Sequence, residues 1–273
     1  MQANFQQFIA TLNLNHSSEK TLLAVSGGID SIAMCELFYQ ENLPFGIIHC
    51  NFKLRGKAAD EDEVFVKNLA NKYQVSFYST SFNTKKCAEE LGISIQMAAR
   101  KLRYEWFEEI RKEEQYTYIA IAQHRDDELE TILINLLRGT GIAGLHGIAG
   151  NKNAVIRPLL FSDRTQIEHF VKTYELQFRE DATNTEIKYI RNKIRHQIIP
   201  ILKEINPQLT KTIAQNSAYI KDAELIFRTT IAARKEELFE FLNPYGFKAS
   251  VIANIIAALN STSGKQFLSN SHR

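Results

Sequence analysis

With 273 residues, 44% of them hydrophobic and 23% charged, the chain has the make-up of a globular protein with one sizeable domain and room for a smaller one. No apolar run approaches the roughly 20 residues of a membrane span, and Met1 to Phe5 lacks the basic-then-apolar pattern of a signal peptide. A net charge of +2 means that nucleic-acid contact must come from local patches, and Cys35, Cys50 and Cys87, scattered without a Cys-x-x-Cys pair, predict reduced thiols in a cytoplasmic protein, with no disulfide framework, zinc knuckle or iron–sulfur cluster.

Phe5, Phe8, Ile9 and Leu12 recur at helical spacing, so residues 5–14 are expected to form an outer helix. The apolar run Thr21 to Val25 then reads as a buried strand, and Ile32 to Tyr39 as a helix. Between them lie Ser26, Gly27, Gly28, Ile29, Asp30 and Ser31. A strand, a tight Gly-Gly turn and a helix whose free N–H groups face the turn make an anion site. The spacing is neither that of a Walker loop nor that of a dinucleotide-binding turn. It resembles the PP-loop of the ATP pyrophosphatases, which split ATP into AMP and pyrophosphate while adenylating a substrate.

A second buried strand is predicted over residues 44–50, completing a parallel crossover unit in about 30 residues. Ligands of such sheets sit beyond the carboxyl ends of the strands, which places His49, Asn51 and Arg55 on the same rim as the Gly-Gly turn. The acidic start of the next segment, Asp60 to Glu63, complements a helix dipole and reads as structural. A third strand is expected over 75–79, then a helix over 84–91 closed by Gly92. A long helix comes next over 95–111, with apolar residues on more than one face. On it Arg100 and Arg103 share a side; they suit a solvated pair or a phosphate clamp equally.

The fourth strand, 116–122, delivers Gln123, His124, Arg125, Asp126, Asp127, Glu128 and Glu130 to the rim and to a helix N-terminus. One of Asp126 and Asp127 could cap that helix. Asp126, Asp127 and Glu130 beside His124 exceed what capping needs and predict a functional cluster. Five of the 12 glycines fall within residues 138–150, so this loop is expected to approach a ligand or to move. Pro158 keeps Arg157 extended, and Asp163 starts a helix. Residues 189–202 read as a helix with Ile190, Ile194, Ile198 and Ile201 as its apolar stripe and Arg191, Lys193, Arg195 and His196 around it, a solvated face or an RNA contact. Beyond Asn206 and Pro207 the pattern is helical only. The expected architecture is therefore α/β: a parallel-sheet, Rossmann-like PP-loop domain over residues 1–204, a smaller all-helical domain over 205–263, and the start of a partial C-terminal region over 264–273.

Taken together, residues 26–31, 49–56, 98–104, 122–131, 137–145, 156–160 and 191–196 resemble the tRNA(Ile)-lysidine synthetases, a family of PP-loop enzymes, over about Leu22 to Pro207. Gln123 and Glu128 depart from it, since many members carry a second His and a Gln there. The resemblance implies a ligase that uses ATP and Mg²⁺ to adenylate the wobble cytidine of CAU-anticodon tRNA(Ile) at its C2 oxygen, after which the amine of L-lysine attacks C2 and AMP leaves. It implies that Ser26, Gly27, Gly28, Ile29, Asp30, Ser31, His49 and Asn51 bind ATP, with Asp30 also as a magnesium ligand. Asp127 would meet the cytosine amino group, and Glu130 would hold the lysine ammonium and take its proton. Arg100 or Arg103 would stabilise the intermediate, and His124 would complete the catalytic set. Arg55, Arg138, Arg191 and Arg195 would hold tRNA, and a homodimer is compatible with the pattern. A tRNA thiolase of the same superfamily would call for paired cysteines, and a non-catalytic ATP sensor would not call for the carboxylates at 126–130.

Overall fold

The computed structural model describes residues 1–12, 19–54, 56–179, 190–233 and 235–258. By their contacts they divide into two compact units, one of residues 1–127 and 149–186, the other of residues 128–148 and 187–273.

The first unit is built on a sheet in the order β3-β2-β1-β4-β6-β5, formed by β1 (Thr21–Ala24), β2 (Phe45–Asn51), β3 (Phe77–Ser81), β4 (Tyr118–Ile121), β5 (Asn151–Lys152) and β6 (Val155–Ile156). All neighbours are parallel except β5 and β6. The helices of this unit are α1 (Gln2–Thr11), α2 (Ile29–Gln40), α3 (Lys57–Tyr73), α4 (Thr84–Leu91), α5 (Ile95–Glu113) and α7 (Arg164–Thr173), and α6 (Arg125–Arg138) runs from it into the second unit. Because side chains alternate along a strand, β1 feeds both faces. Leu23 joins Ile47, Met34, Phe38, Ile167 and Phe170 on one side, while Leu22 joins Ile48, Phe107, Tyr116 and Ile119 on the other. Both leucines are fully buried, which is why the run reads as continuously apolar.

Boundaries differ from the sequence expectation where a helix end uses residues that have strand propensity. The residue after α3, Gln74, takes a left-handed conformation, and the Val75 amide bonds back to the Ala70 carbonyl. The strand therefore starts at Phe77 rather than Val75.

The second unit contains the later part of α6, a short 3₁₀ turn at Ile142–Leu145, α8 (Ile190–Lys193), α9 (Ile199–Ile205), α10 (Leu209–Ala233), α11 (Lys235–Leu242) and α12 (Ala249–Ala258). Leu129, Ile194 and Ile199 form its core, with Leu133, Ile134, Ile198, Leu209 and Ile213 packed around them. By contacts this unit takes in residues 128–148 and 187–204, which the boundary at 204 assigned to the sheet domain. The isoleucine stripe also changes register. A π-helical turn over Ile194–Ile198 joins α8 to α9, and its extra residue turns Ile199 into the core while Ile190 and Ile201 stay exposed. Residues 264–273 lie outside the described residues. Among those described, no helix is long and apolar enough to cross a membrane.

One ion pair staples the turn from α5 into β4. Arg111 donates to both Glu108 oxygens at 2.7 and 2.8 Å and to the carbonyls of Tyr116 and Thr117 at 3.1 and 3.4 Å. The Arg111 hydrogen bonds hold the Glu108 carboxyl down at about 2. A depressed carboxylate contributes stability above its unfolded value and loses it as pH falls through the folded one. Glu108→Gln is therefore expected to lower Tm by about 1–3 °C at pH 7, with the difference closing as pH falls toward 2, followed by thermal melts of both proteins across that range.

Candidate active site

Strand order reverses at β1, whose neighbours are β2 and β4. An open α/β sheet has its ligand crevice at such a switch point, beyond the carboxyl ends of the strands. The turn after β1 and the turn after β4 flank that crevice, so the two polar stretches singled out in the sequence meet there.

In the first turn Gly27 has φ +89°, a backbone state that a side chain disfavours, and its carbonyl accepts from the Arg179 amide at 2.9 Å. The Gly28 amide points at the Ser26 hydroxyl (3.3 Å), which lies 3.4 Å from the Ser31 hydroxyl, itself donating to the Gly28 carbonyl at 2.8 Å. Gly28 begins α2 without a side-chain cap, which leaves the first-turn amides of the helix turned to the crevice as an anion would need.

His124, 3% exposed, joins the two turns. Its Nε2 lies 3.7 Å from Asp30 and 3.6 Å from Asp127, and its Nδ1 lies 3.5 Å from Asp126. Burial opposes a charge on the ring, but Asp126, Asp127 and Asp30 together outweigh it and raise the pKa of His124. The Asp126 amide is 3.3 Å from Nδ1, so the ring finds a partner in either protonation state. The carboxylates also order backbone: Asp127 accepts from the His124 amide at 3.1 Å, and Asp126 from the Arg164 amide at the start of α7 at 2.9 Å. Arg164, which sequence reading missed, donates to both Asp30 oxygens at 3.0 and 3.2 Å. Only the helix-start signal at Asp163 pointed near it.

Several expected contacts are arranged otherwise. His49 is buried, and its Nδ1 meets the Val25 carbonyl at 2.8 Å, so it supports the turn from behind. Asn51 donates to Asp60 and Glu63 at 2.8 and 3.0 Å and accepts from the Lys53 amide at 3.0 Å, which commits its amide to the loop after β2 instead of to ATP. Asp30 is held by Arg164, and among the described residues no group of three His, Cys, Asp or Glu could hold a metal ion. Arg100 lies over the Tyr104 ring and Arg103 over the Phe52 ring, at 4.7 and 5.0 Å. Arg55 lies outside the described residues.

In the second unit Glu130 is fully buried. Arg191 donates to it at 2.8 Å and Arg195 at 2.5 and 3.1 Å. Two guanidinium groups therefore hold the Glu130 carboxylate. Arg191 and Arg195 are correspondingly partners of Glu130, though 43% and 37% of their side-chain surface stays exposed. Arg138 is exposed at the end of α6. The glycine-rich loop is braced. Asn135 donates to the Gly144 carbonyl at 2.8 Å, Glu128 accepts from the Ile148 amide at 3.3 Å, and His146 lies 2.6 Å from Glu224. A side chain on Gly147 would strike Glu128.

With this geometry in place, comparison with known proteins is decisive. The PP-loop domain family matches residues 1–202, and the TilS substrate binding domain matches residues 229–273. The tRNA(Ile)-lysidine synthase of Bacteroides thetaiotaomicron is 38% identical, aligned over 100% of this chain and 69% of its own length. The chain belongs to the tRNA(Ile)-lysidine synthase family. The lysidine synthase of Porphyromonas gingivalis is also 38% identical, with 92% of this chain covered and 60% of that protein, and that of Chlorobaculum tepidum is 42% identical over 69% of this chain and 58% of its own. The chain thus spans about six- to seven-tenths of the length of these three proteins. Among solved structures, the U34-tRNA thiolase NcsA from Methanococcus maripaludis with its [4Fe-4S] cluster overlays with a TM-score of 0.64 at 17% identity, covering 80% of this chain and 78% of that one, a likeness of fold.

Losing one partner of a buried ion pair costs about 3–5 kcal/mol, less when the surviving charges reach water. In this lysidine synthase family member Glu130→Gln is expected to destabilise the protein by about 1–3 kcal/mol. Denaturant unfolding of the two proteins side by side is the measurement that checks it.

Proposed function

We propose that this chain ligates L-lysine to C2 of the wobble cytidine of CAU-anticodon tRNA(Ile), at the expense of ATP and through an adenylated cytidine. What carries the reading is the meeting of the Ser26–Ser31 turn with His124, Asp126 and Asp127 at the switch point of the sheet, in a chain of this family. The cytidine O2 attacks the α-phosphorus and pyrophosphate leaves. The lysine amine then attacks C2, the C2–O2 bond breaks, and AMP carries the oxygen away.

The first-turn amides of α2, with the Ser26 and Ser31 hydroxyls, suit the pyrophosphate as its charge grows. Asp127, 17% exposed at its side chain, suits the cytosine N4 amino group as its acceptor. Asp30 and Arg164 set the charge beside the turn, and His124 holds the three aspartates in one geometry. Arg138, Arg191 and Arg195 offer guanidinium edges to RNA phosphates, with Glu130 fixing the last two. Magnesium, an ion that keeps most of its waters, would arrive bound to the ATP phosphates and would supply charge neutralisation there. No step assigned to this chain runs through it. A homodimer is compatible with this reading.

The thiolase alternative finds little support. Burial pushes the Cys35 thiol up and the Cys50 thiol up to about 12, away from a reactive thiolate. The deciding assay supplies ATP, labelled lysine and CAU-anticodon tRNA(Ile). One lysine entering the tRNA per AMP and pyrophosphate released is the expected result; no incorporation, with pyrophosphate exchange driven by another substrate, overturns the reading. Asp127→Asn and Asp30→Ala should each slow incorporation by ~10²-fold, the scale of one catalytic electrostatic group.

A further inference from the structure

The guanidinium groups of Arg111, Arg164, Arg179, Arg191, Arg195 and Arg228 all rest on carboxylates. Those of Arg100, Arg103 and Arg157 do not. Among the described residues none of these three pairs with a carboxylate, yet they crowd together. Arg100 lies over the face of Tyr104, and Arg157 hydrogen-bonds to the same Tyr104 and feels the charge of Arg100. Arg103 lies over Phe52, beside the neutral Cys50, and also feels Arg100. Burial and this mutual repulsion both push the pKa of Arg103 and of Arg157 down. Such a grouping is costly unless an anion joins it.

The placement is as informative as the charge. Phe52 follows β2, Gln123 follows β4 and Arg157 follows β6, so the cluster stands at the carboxyl ends of strands on either side of β1. Helix α5, which carries Arg100 and Arg103, packs through Phe107 on the sheet face that holds Leu22 and Ile48, whereas α2 of the Ser26 turn packs on the opposite face. Arg157 is held in place. Its Nε donates to Gln123 Oε1 at 2.7 Å, its Nη1 to the Ala149 carbonyl at 2.8 Å, and its amide to the Gly150 carbonyl at 2.8 Å. Gln123 thereby gains a task, as the acceptor that aims a guanidinium group carried just beyond the neighbouring strand.

We propose that Arg157, positioned by Gln123, completes with Arg100 and Arg103 a binding site for one esterified phosphate of the substrates, separate from the pyrophosphate cradle at Ser26–Ser31. The inference rests on the lysine-ligating reading for the choice of substrates. Two sources can supply such a group, the nucleotide and the RNA backbone, and the test distinguishes them.

Calorimetric titration of the full chain with AMP, and separately with a CAU anticodon stem-loop at several salt concentrations, is the experiment. Arg157→Gln should bind one of the two probes about tenfold more weakly with Tm unchanged. Loss confined to AMP assigns the site to the nucleotide. Loss confined to the stem-loop, with a slope of log K against log salt reduced by about 1, assigns it to RNA. Gln123→Leu should weaken the same probe about threefold, and Gln123→His, which keeps an acceptor nitrogen, should restore it; a merely structural role would not show that pattern. If Arg157→Gln fails to fold, Arg157→Lys, which keeps the charge and loses the fork, takes its place. Affinities within twofold of wild type for both probes overturn the proposal. Lysine incorporation by the wild type, measured in parallel, tells that failure apart from failure of the lysine-ligating reading.

Discussion

Three carboxylates brought to one point repel each other, and what holds Asp30, Asp126 and Asp127 together here is a single buried imidazole. His124 sits between the turn after β1 and the turn after β4, so the two halves of the crevice share one side chain. Coulomb attraction in a poorly solvated place is strong enough to overcome the cost of burying the ring. Arg164 adds a second positive group from α7, and Asp126 returns a bond to the first amide of that helix. Three elements far apart in sequence are therefore tied together by one knot of opposite charges. The Gly-Gly turn depends on it, because Asp30 is in the first turn of the helix that the turn feeds.

The sheet was legible because β1, β2 and β4 are buried on both faces and their sequences are correspondingly unbroken apolar runs. The crevice was legible because each run ends abruptly in polar residues, at Ser26 and at Gln123. Partners distant along the chain were not legible. Nothing around Glu130 announces that Arg191 and Arg195 will close over it, and an isolated Asn51 after a strand carries no sign that Asp60 and Glu63 will take its amide hydrogens. Local pattern also failed where one residue too many is wound into a helix. A stripe spaced by four looks regular on paper, and the π turn at Ile194–Ile198 leaves that spacing intact while rotating the residues beyond it. The division by contacts falls within α6, one continuous helix, so no composition shift marks the passage from Asp127 to Glu128.

Within the family the chain joins, the two departures noted in the sequence have physical explanations. Glu128 in place of Gln keeps an acceptor for the Ile148 amide and fills the space that Gly147 leaves. Gln123 in place of His accepts from Arg157 Nε. Both substitutions preserve an acceptor at the same point, which is the property their surroundings require. In the glycine-rich loop a side chain on Gly147 would strike Glu128 and one on Gly144 would strike Thr140, whereas Gly139 and Gly141 face open space.

The π turn has one more consequence, for length rather than for contact. In an ordinary helix each residue advances the azimuth by about 100°, so removing one residue reorients everything downstream. A helix that holds a π turn stores one residue of slack, and a one-residue deletion inside 194–198 would relax it to a plain α-helix. The residues beyond would keep their facing, with Ile199 still in the core it shares with Leu129, whereas the same deletion in a plain helix would turn them by about 100°. The segment from Ile190 to Ile205 thus carries one residue that it can lose without changing which side chain meets the core.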